Sequence, residues 1–125
     1  MKTIDVNELL LFQKKIISST GGLDGVRDKG LLESALSRSN MTFDGSDLYD
    51  SIEKKISVIT HSLIANHGFV DGNKRIGVAM MILLCKMNDI KIHYTQQELV
   101  KLGLAVASGK ENSKNIYEWI IDHKI

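Results

Sequence analysis

Hydrophobic residues recur every three or four positions over most of the chain, which is the spacing of helices with one buried face. A first helix is predicted from Asp5 to about Ser19, because Asp5 and Glu8 form a capping-box pattern. A second is predicted after Asp28, a residue type that often caps helices. A third ends near Asn66. Its apolar stripe, at spacings of 4, 3 and 4, consists of Ile52, Ile56, Ile59 and Leu63.

The most apolar segment of the chain follows Gly72 and runs from Ile76 to Met87. It leaves almost no polar side, which is typical of a helix surrounded by other helices. Two more helices are predicted, from Thr95 to near Gly109 and from about Ser113 onwards. The inner face of the last one carries Ile116, Trp119 and Ile120.

The remaining segments are predicted as connections. Residues 20–25 and 39–47 are glycine-containing and polar and are predicted as loops, and residues 90–95 alternate briefly, as a short extended connection would. The pattern as a whole predicts an all-α bundle around the helix that begins at Asn73. Its 125 residues suit a single domain covering positions 1–125.

Composition narrows the possible classes of function. The formal net charge is +1 with 25% charged residues, so no basic excess predicts direct nucleic-acid binding. The longest fully apolar run, residues 78–85, is too short to span a bilayer, and the N-terminus shows no signal-peptide pattern. Cys85 is the only cysteine and is predicted to be a core residue. These features favour a protein of the reducing cytoplasm with no membrane association.

The nine residues HGFVDGNKR, at positions 67–75, concentrate polar chemistry just before the most apolar helix. The first turn of a helix has unpaired N–H groups and a partial positive charge, so it attracts anions. Gly72 allows a close backbone approach. Lys74 and Arg75 lie at the start of the helix, where the dipole favours acidic residues and disfavours cations. A bound phosphate would offset this unfavourable arrangement of charges.

Three other residues of this segment complete a candidate site. Asp71 is a candidate Mg²⁺ ligand, since Mg²⁺ binds one or two carboxylates together with phosphate oxygens. His67 is a candidate general base, because imidazole titrates near neutral pH. Phe69 is predicted to point inward and anchor the loop. Together these residues predict phosphoryl or nucleotidyl transfer.

Each feature alone has an ordinary interpretation: a histidine can cap a helix, Asp-Gly-Asn is a common turn, and a basic pair is usually solvated. The combination at a helix start favours function. The chain has no GxxxxGK[ST] phosphate loop and no DxDxDG calcium loop. Zinc ligation by His61, His67 and Asp71 lacks the usual motifs. The other histidines, His61, His93 and His123, are predicted to be surface or packing residues.

The segment HGFVDGNKR resembles the signature of the Fic/Doc family, roughly HxFx[DE][GA]N[GK]R. Lys74 resembles the Doc (death-on-curing) branch, because the nucleotide-transferring Fic branch has glycine at that position. The segments GVRDKGLLESAL, at positions 25–36, and HSLIANHGFVDGNKR, at positions 61–75, also resemble Doc sequences. The resemblance covers essentially the whole chain.

The resemblance implies the all-α Fic fold and a set of residue roles. His67 would activate a target hydroxyl, Asp71 would bind Mg²⁺, and Phe69 would be buried. The remaining motif residues would shape the anion hole and hold the phosphates of ATP: Gly72, Asn73, Lys74 and Arg75. The implied activity is that of a toxin that phosphorylates a threonine of translation elongation factor Tu. The implied partner is a Phd-like antitoxin that shuts the site, and residues 42–49 would form the flap that positions the target segment.

Some positions depart from the family pattern. Gly68 replaces a frequent proline, which predicts a less rigid loop. Val78 stands where nucleotide-transferring relatives usually have a second arginine, which argues against AMP transfer. No built-in inhibitory [ST]xxxE[GN] motif is present, because Ala107 precedes Glu111 by four positions. The alternatives are a Fic-type nucleotidyltransferase that moves AMP or UMP to a protein hydroxyl, and an inactive antitoxin-binding or phosphate-binding module.

Overall fold

The computed structural model describes residues 1–125 as six α-helices, a short 3-10 turn and one two-stranded hairpin. The elements are α1 (Val6–Thr20), α2 (Lys29–Ser37), the 3-10 turn (Arg38–Asn40), β1 (Thr42–Phe43), β2 (Ser46–Asp47), α3 (Ile52–Ala65), α4 (Asn73–Met87), α5 (Gln96–Ala107) and α6 (Ser113–His123). The all-α prediction is confirmed, with every predicted helix present within one or two residues of its expected bounds.

Local sequence explains where most of the helices begin. Five of the six α-helices start at a side chain that accepts a hydrogen bond from a backbone N–H of the first turn: Asp5, Asp28, Ser51, Thr95 and Asn112. The predicted capping box of Asp5 with Glu8 forms, and a second one joins Thr95 with Glu98 at the start of α5. The remaining helix, α4, begins after Gly72 and has no side-chain cap.

Helices α3 and α4 lie side by side at the centre of the bundle. As predicted, α4 is a buried helix, and Met80, Met81 and Leu84 on it are fully inaccessible. It shares the centre with α3, which also packs against α2, α5 and α6. Burial raises the pKa of the Cys85 thiol to about 11, in keeping with its predicted place in the core. No helix combines the length and the hydrophobicity that crossing a membrane requires.

The segment predicted as a loop over residues 39–47 contains more structure than expected. After the 3-10 turn, β1 and β2 form a hairpin in which Thr42 pairs with Asp47 and Phe43 with Ser46. Its two-residue turn, Asp44 and Gly45, has positive φ at both positions (53° and 82°). An Asp-Gly pair favours this turn. The flanking strands are too short for an alternating pattern to be visible in the sequence.

Candidate active site

Residues 66–72, the motif loop, connect the two central helices, and two hydrogen bonds between the Asn73 side chain and the Phe69 backbone fix its shape. Asn73 accepts a hydrogen bond from the backbone N–H of Phe69 at Oδ1 (2.9 Å) and donates one from Nδ2 to the carbonyl of Phe69 (3.0 Å). The Phe69 ring is 1% exposed and belongs to the core cluster. Both polar ends of the Asn73 side chain are therefore occupied in closing the loop, and only its backbone N–H remains to face an anion.

A second segment, the α1–α2 loop (residues 21–28), runs antiparallel beside the motif loop. Val26 and Phe69 form an antiparallel bridge. The carbonyl of Gly68 accepts hydrogen bonds from the N–H of Arg27 (2.8 Å) and of Asp28 (3.0 Å). The motif loop is thus held from one side along much of its length.

Close packing explains the glycine at position 68. A Cβ atom there would lie 2.4 Å from Cδ2 of Leu32, which is itself buried in the core. The sequence predicted a loosened loop at this departure from the family pattern. The lower rigidity stays a prediction, and the structure shows that Gly68 lets the motif loop lie directly on α2.

Asp71 is held by two backbone donors. Its Oδ2 accepts from the N–H of Leu23 (3.1 Å) and its Oδ1 from the N–H of Gly72 (2.8 Å). These two hydrogen bonds, with a smaller contribution from the charge of Arg75, lower the pKa of Asp71 below its usual value. The carboxylate is therefore ionised at neutral pH, and each oxygen keeps a free lone pair.

This arrangement fits a magnesium ion that arrives with phosphate. Mg²⁺ is commonly held by one or two carboxylates with the remaining positions filled by phosphate oxygens and water. The chain has no cluster of three or more His, Cys, Asp or Glu side chains that could form a complete metal cage. Asp71 is accordingly suited to Mg²⁺ only when a phosphate ligand supplies other oxygens.

The N-terminus of α4 lies next to Asp71 and is open. Gly72 adopts a left-handed conformation (φ 78°, ψ 14°), and its carbonyl accepts the first helical hydrogen bond, from Ile76 (2.7 Å). No side chain caps this end and no acidic residue lies in the first turn. The unpaired N–H groups of that turn carry the positive end of the helix dipole and favour an anion.

The side chains of Arg75 and Lys74 extend in different directions from the start of α4. Arg75 donates from Nη1 to the hydroxyl of Thr20 and to the carbonyl of Gly21 (2.6 Å), at the end of α1. Lys74 lays its stem along α5, since a Cβ atom on Gly103 would lie 3.0 Å from Lys74 Cγ, and its side chain is exposed. The structure groups Arg75 with Asp71 and Gly72, and it puts Lys74 on the α5 side of the helix end.

His67 is the second residue of the motif loop and directly follows the C-cap of α3. Helix α3 ends at Ala65, and Asn66 is its C-cap. His67 is exposed and has a left-handed backbone (φ 52°), which costs a non-glycine residue roughly 1–2 kcal/mol. Its imidazole makes no hydrogen bond within the protein, so it is available to a ligand.

Sequence reasoning missed the contribution of Arg27. Its Nε donates to the carbonyl of His67 (2.6 Å) and its Nη2 to the carbonyl of Asn66 (3.1 Å). The only sequence signal was its place in the Doc-like segment at positions 25–36. The α1–α2 loop as a whole was predicted only as a connection, and yet it contacts Asp71, Arg75 and the backbone of His67.

Comparison with known proteins agrees with this architecture. The sequence model described as the Fic/DOC family matches residues 3–85, which include the whole motif loop and most of α4. The chain, an all-α bundle with this loop between its central helices, belongs to the Fic/DOC family.

Two curated relatives refine the assignment. "Toxin Doc" of Mycolicibacterium smegmatis is 38% identical over 72 residues, 58% of this chain and 55% of that protein. "Protein kinase doc" of Escherichia phage P1 is 26% identical over 110 residues, 88% of this chain and 86% of that protein. The chain thus spans about half the length of the mycobacterial relative and most of the phage protein. Within the family it lies in the Doc branch.

Proposed function

We propose that this protein is the toxin of a toxin–antitoxin pair and acts as an ATP-dependent protein Ser/Thr phosphotransferase. The expected target is translation elongation factor Tu, whose modification would block translation in the cytoplasm. One observation carries the proposal: the uncapped, electropositive start of α4 adjoins an ionised Asp71 and the guanidinium of Arg75. A phosphate ligand that arrives with Mg²⁺ would complement all three, because its oxygens would accept from the helix N–H groups and from Arg75 while the cation binds Asp71.

The residues of the site would divide the work of phosphoryl transfer. The N–H groups at the start of α4, together with Arg75, would hold phosphate oxygens, and Mg²⁺ bound with Asp71 would neutralise charge on them. His67 would accept the proton of the target hydroxyl as that oxygen attacks the γ-phosphorus, while the bond from this phosphorus to the β,γ-bridging oxygen breaks and ADP leaves. Catalysis of this kind depends mostly on positioning and charge stabilisation, which suits a site held by many backbone contacts.

The far side of the helix end favours transfer of the terminal phosphate over transfer of the nucleotide. Val78 follows Lys74 by one turn, is 8% exposed and lies against Gly103 of α5. Val78 itself offers no donor for a third phosphate, and the Lys74 side chain occupies the space beside it. This arrangement supports a nucleotide orientation with the γ-phosphorus facing His67. The name of the phage P1 relative, a protein kinase, agrees with this orientation.

The β1–β2 hairpin is the proposed docking element for the target segment. Phe43 at its tip is 73% exposed. An ion pair between Lys55 of α3 and Asp47 (3.1 Å) holds the base of the hairpin. An exposed apolar side chain on a tethered hairpin is suited to contact an extended peptide.

A Phd-like antitoxin is the proposed partner, and the groove beside α1 is the surface we assign to it. The groove lies between α1 and residues 24–26 of the α1–α2 loop and is lined by Leu10, Leu11, Gln13 and Val26, among others. Leu11 is 66% exposed, whereas Gln13 is 1% exposed and its Nε2 has no hydrogen-bond acceptor. A partner segment with apolar side chains would cover Leu11 and the other apolar residues of this groove.

Radiolabelling of the target tests the proposed reaction. The protein is incubated with purified elongation factor Tu and ATP labelled at either the γ- or the α-phosphate. We expect label from the γ position alone, lost by roughly 10²–10⁴-fold in His67→Ala and retained in His93→Ala, a control at an exposed histidine outside the site. The same pattern should hold for toxicity on expression.

Two other results would replace the proposal. Label from the α position that depends on His67 would identify a nucleotidyltransferase that moves AMP; labelled UTP tests UMP in the same way. No label from any nucleotide, with nucleotide binding intact, would indicate an inactive binding module. The intact His67, Asp71 and Arg75 count against that last outcome.

A further inference from the structure

Arg27 makes all of its side-chain hydrogen bonds to the backbone at the candidate base. Its guanidinium binds the carbonyls of Asn66 and His67, and its own N–H binds the carbonyl of Gly68. Three consecutive carbonyl groups centred on His67 are therefore held by one residue. Arg27 forms no ion pair with any carboxylate, so no other contact of its side chain explains its position.

The backbone of His67 needs such a constraint. With φ at 52° it occupies the left-handed region, which is uncommon for any residue other than glycine, although histidine, asparagine and aspartate enter it more often than other types. A chain leaving α3 would relax toward a right-handed or extended conformation, and the imidazole would then point elsewhere. The planar guanidinium donates in two directions at once and so fixes both carbonyl groups that flank this residue, whereas a lysine ammonium would act as a single point charge.

The exposure of Arg27 separates this role from a role in general stability. The residue lies at the surface, on the α1–α2 loop, and is not part of the hydrophobic core. Exposed polar contacts contribute little to the stability of a fold. The anion end of the site is held separately, by the contacts of Asn73 with Phe69 and of Leu23 with Asp71. Loss of Arg27 should therefore disturb the base and leave the phosphate cradle in place.

We propose that Arg27 is a positioning residue that sets the direction of the His67 imidazole. This inference rests on the proposed phosphotransferase function for its kinetic consequence, but the structural consequence at His67 is independent of it. Arg27 contacts only the backbone of the motif loop and acts through His67.

Steady-state kinetics of phosphoryl transfer provide the first test. Arg27→Gln should lower kcat by roughly 10²-fold, the size of effect that about 1 Å of misplacement produces, and leave the KM for ATP within about twofold. Arg27→Lys, which keeps the charge but not the planar fork, should fall between Arg27→Gln and the parent. Lys29→Gln, which removes an exposed cation two positions away, is the matched control and should match the parent. If Arg27→Gln does not fold, the kcat and KM of Arg27→Lys are compared with those of the parent instead.

NMR spectroscopy of histidine-labelled protein provides the second test and needs no activity. The His67 imidazole signal is assigned by its absence in His67→Ala. In Arg27→Gln and Arg27→Lys it should shift or broaden, whereas the signal of His93 stays unchanged. This result in a protein that transfers no phosphate would uphold the positioning role and refute the proposed function. An unchanged His67 signal together with parental kcat would overturn the inference, as would a raised KM for ATP at unchanged kcat, which would make Arg27 a direct nucleotide ligand.

Discussion

The carboxamide of Asn73 and the backbone of Phe69 form a closed pair of hydrogen bonds across the turn that leads into α4. This pair links the buried anchor of the motif loop to the first residue of the helix whose N-terminus forms the anion site. Neither group has an alternative partner within the protein. The contact therefore ties the shape of the site to the hydrophobic core.

Removal of this pair should be costly for stability. Asn73→Ala leaves the partly buried N–H and carbonyl of Phe69 without partners, and we expect a loss of roughly 1–3 kcal/mol in the free energy of unfolding. Urea denaturation measures it. Asn7→Ala, at an exposed position of α1 where no hydrogen bond is lost, should change stability by less than about 0.5 kcal/mol. Equal stabilities of the two variants would show that the pair is not needed.

Nucleotide binding should stabilise the protein through Arg75. A ligand at 100 times its Kd adds about 2.7 kcal/mol by mass action, so saturating ATP with Mg²⁺ should raise the melting temperature. Arg75→Ala should remove most of this shift, and Arg38→Ala, which alters an exposed arginine outside the site, should preserve it. Absence of any shift at millimolar ATP in the parent would contradict a preformed phosphate site.

Gln13 is predicted to reduce the stability of the free protein. Its buried Nε2 has no acceptor, and a buried polar group in that state costs about 1–3 kcal/mol. Gln13→Met, of similar shape, should therefore raise the melting temperature of the isolated chain, whereas Gln97→Met at an exposed position of α5 should not. A destabilised Gln13→Met variant would show that the amide already has a partner, such as a bound water.

Stability should depend on pH through the contact between Glu98 and His123, whose Oε2 and Nε2 atoms lie 2.6 Å apart. The hydrogen bond with His123, together with those from Thr95, lowers the pKa of Glu98 to about 2. For His123, burial acts to lower the pKa, but hydrogen bonds to Glu98 and to the carbonyl of Trp119 outweigh it, so the pKa is raised. The two ring nitrogens can donate to both acceptors only when the imidazole is charged.

The direction of the pH dependence follows from the pKa shifts of Glu98 and His123. The Glu98 contribution is complete above its ordinary pKa of 4.5 and fades as the pH falls toward 2. The His123 contribution is complete below its ordinary pKa of 6.5 and is lost as the pH rises through the raised value. The contact should thus stabilise most between about pH 4.5 and 6.5. Chemical denaturation across pH should show a flatter profile in Glu98→Gln, which retains a capping-box residue; an unchanged profile would exclude the contact as its source.

Local sequence signals predicted the helices because capping boxes and apolar stripes act over a few residues. Asp5, Thr95 and the stripe of α3 required no knowledge of the tertiary fold. The HGFVDGNKR motif was recognisable for the same reason, since its nine residues are consecutive. The direction of the Lys74 side chain could not be predicted in this way, because it depends on the space that Gly103 leaves on α5, a helix later in the chain.

The role of Arg27 escaped prediction on similar grounds. An arginine next to an aspartate in a loop has no sequence feature that identifies two carbonyl groups some 40 positions away as its partners. The hairpin at residues 42–47 was missed because each strand has only two residues. Contacts between distant segments were hidden from sequence patterns, whereas the local chemistry of the motif was visible.

The side-chain hydrogen bonds that join the α1–α2 loop and the end of α1 to the motif loop and α4 span 39 to 55 positions of sequence. Closing such long loops costs conformational entropy before the contacts stabilise the fold. These contacts are therefore expected to form late in folding. During synthesis, the site cannot be assembled until residues up to Arg75 have left the ribosome and met a loop made much earlier. A chain interrupted before His67 would contain the α1–α2 loop and none of the motif residues. For a protein proposed to halt translation, the site could thus become active only after most of the chain has been synthesised.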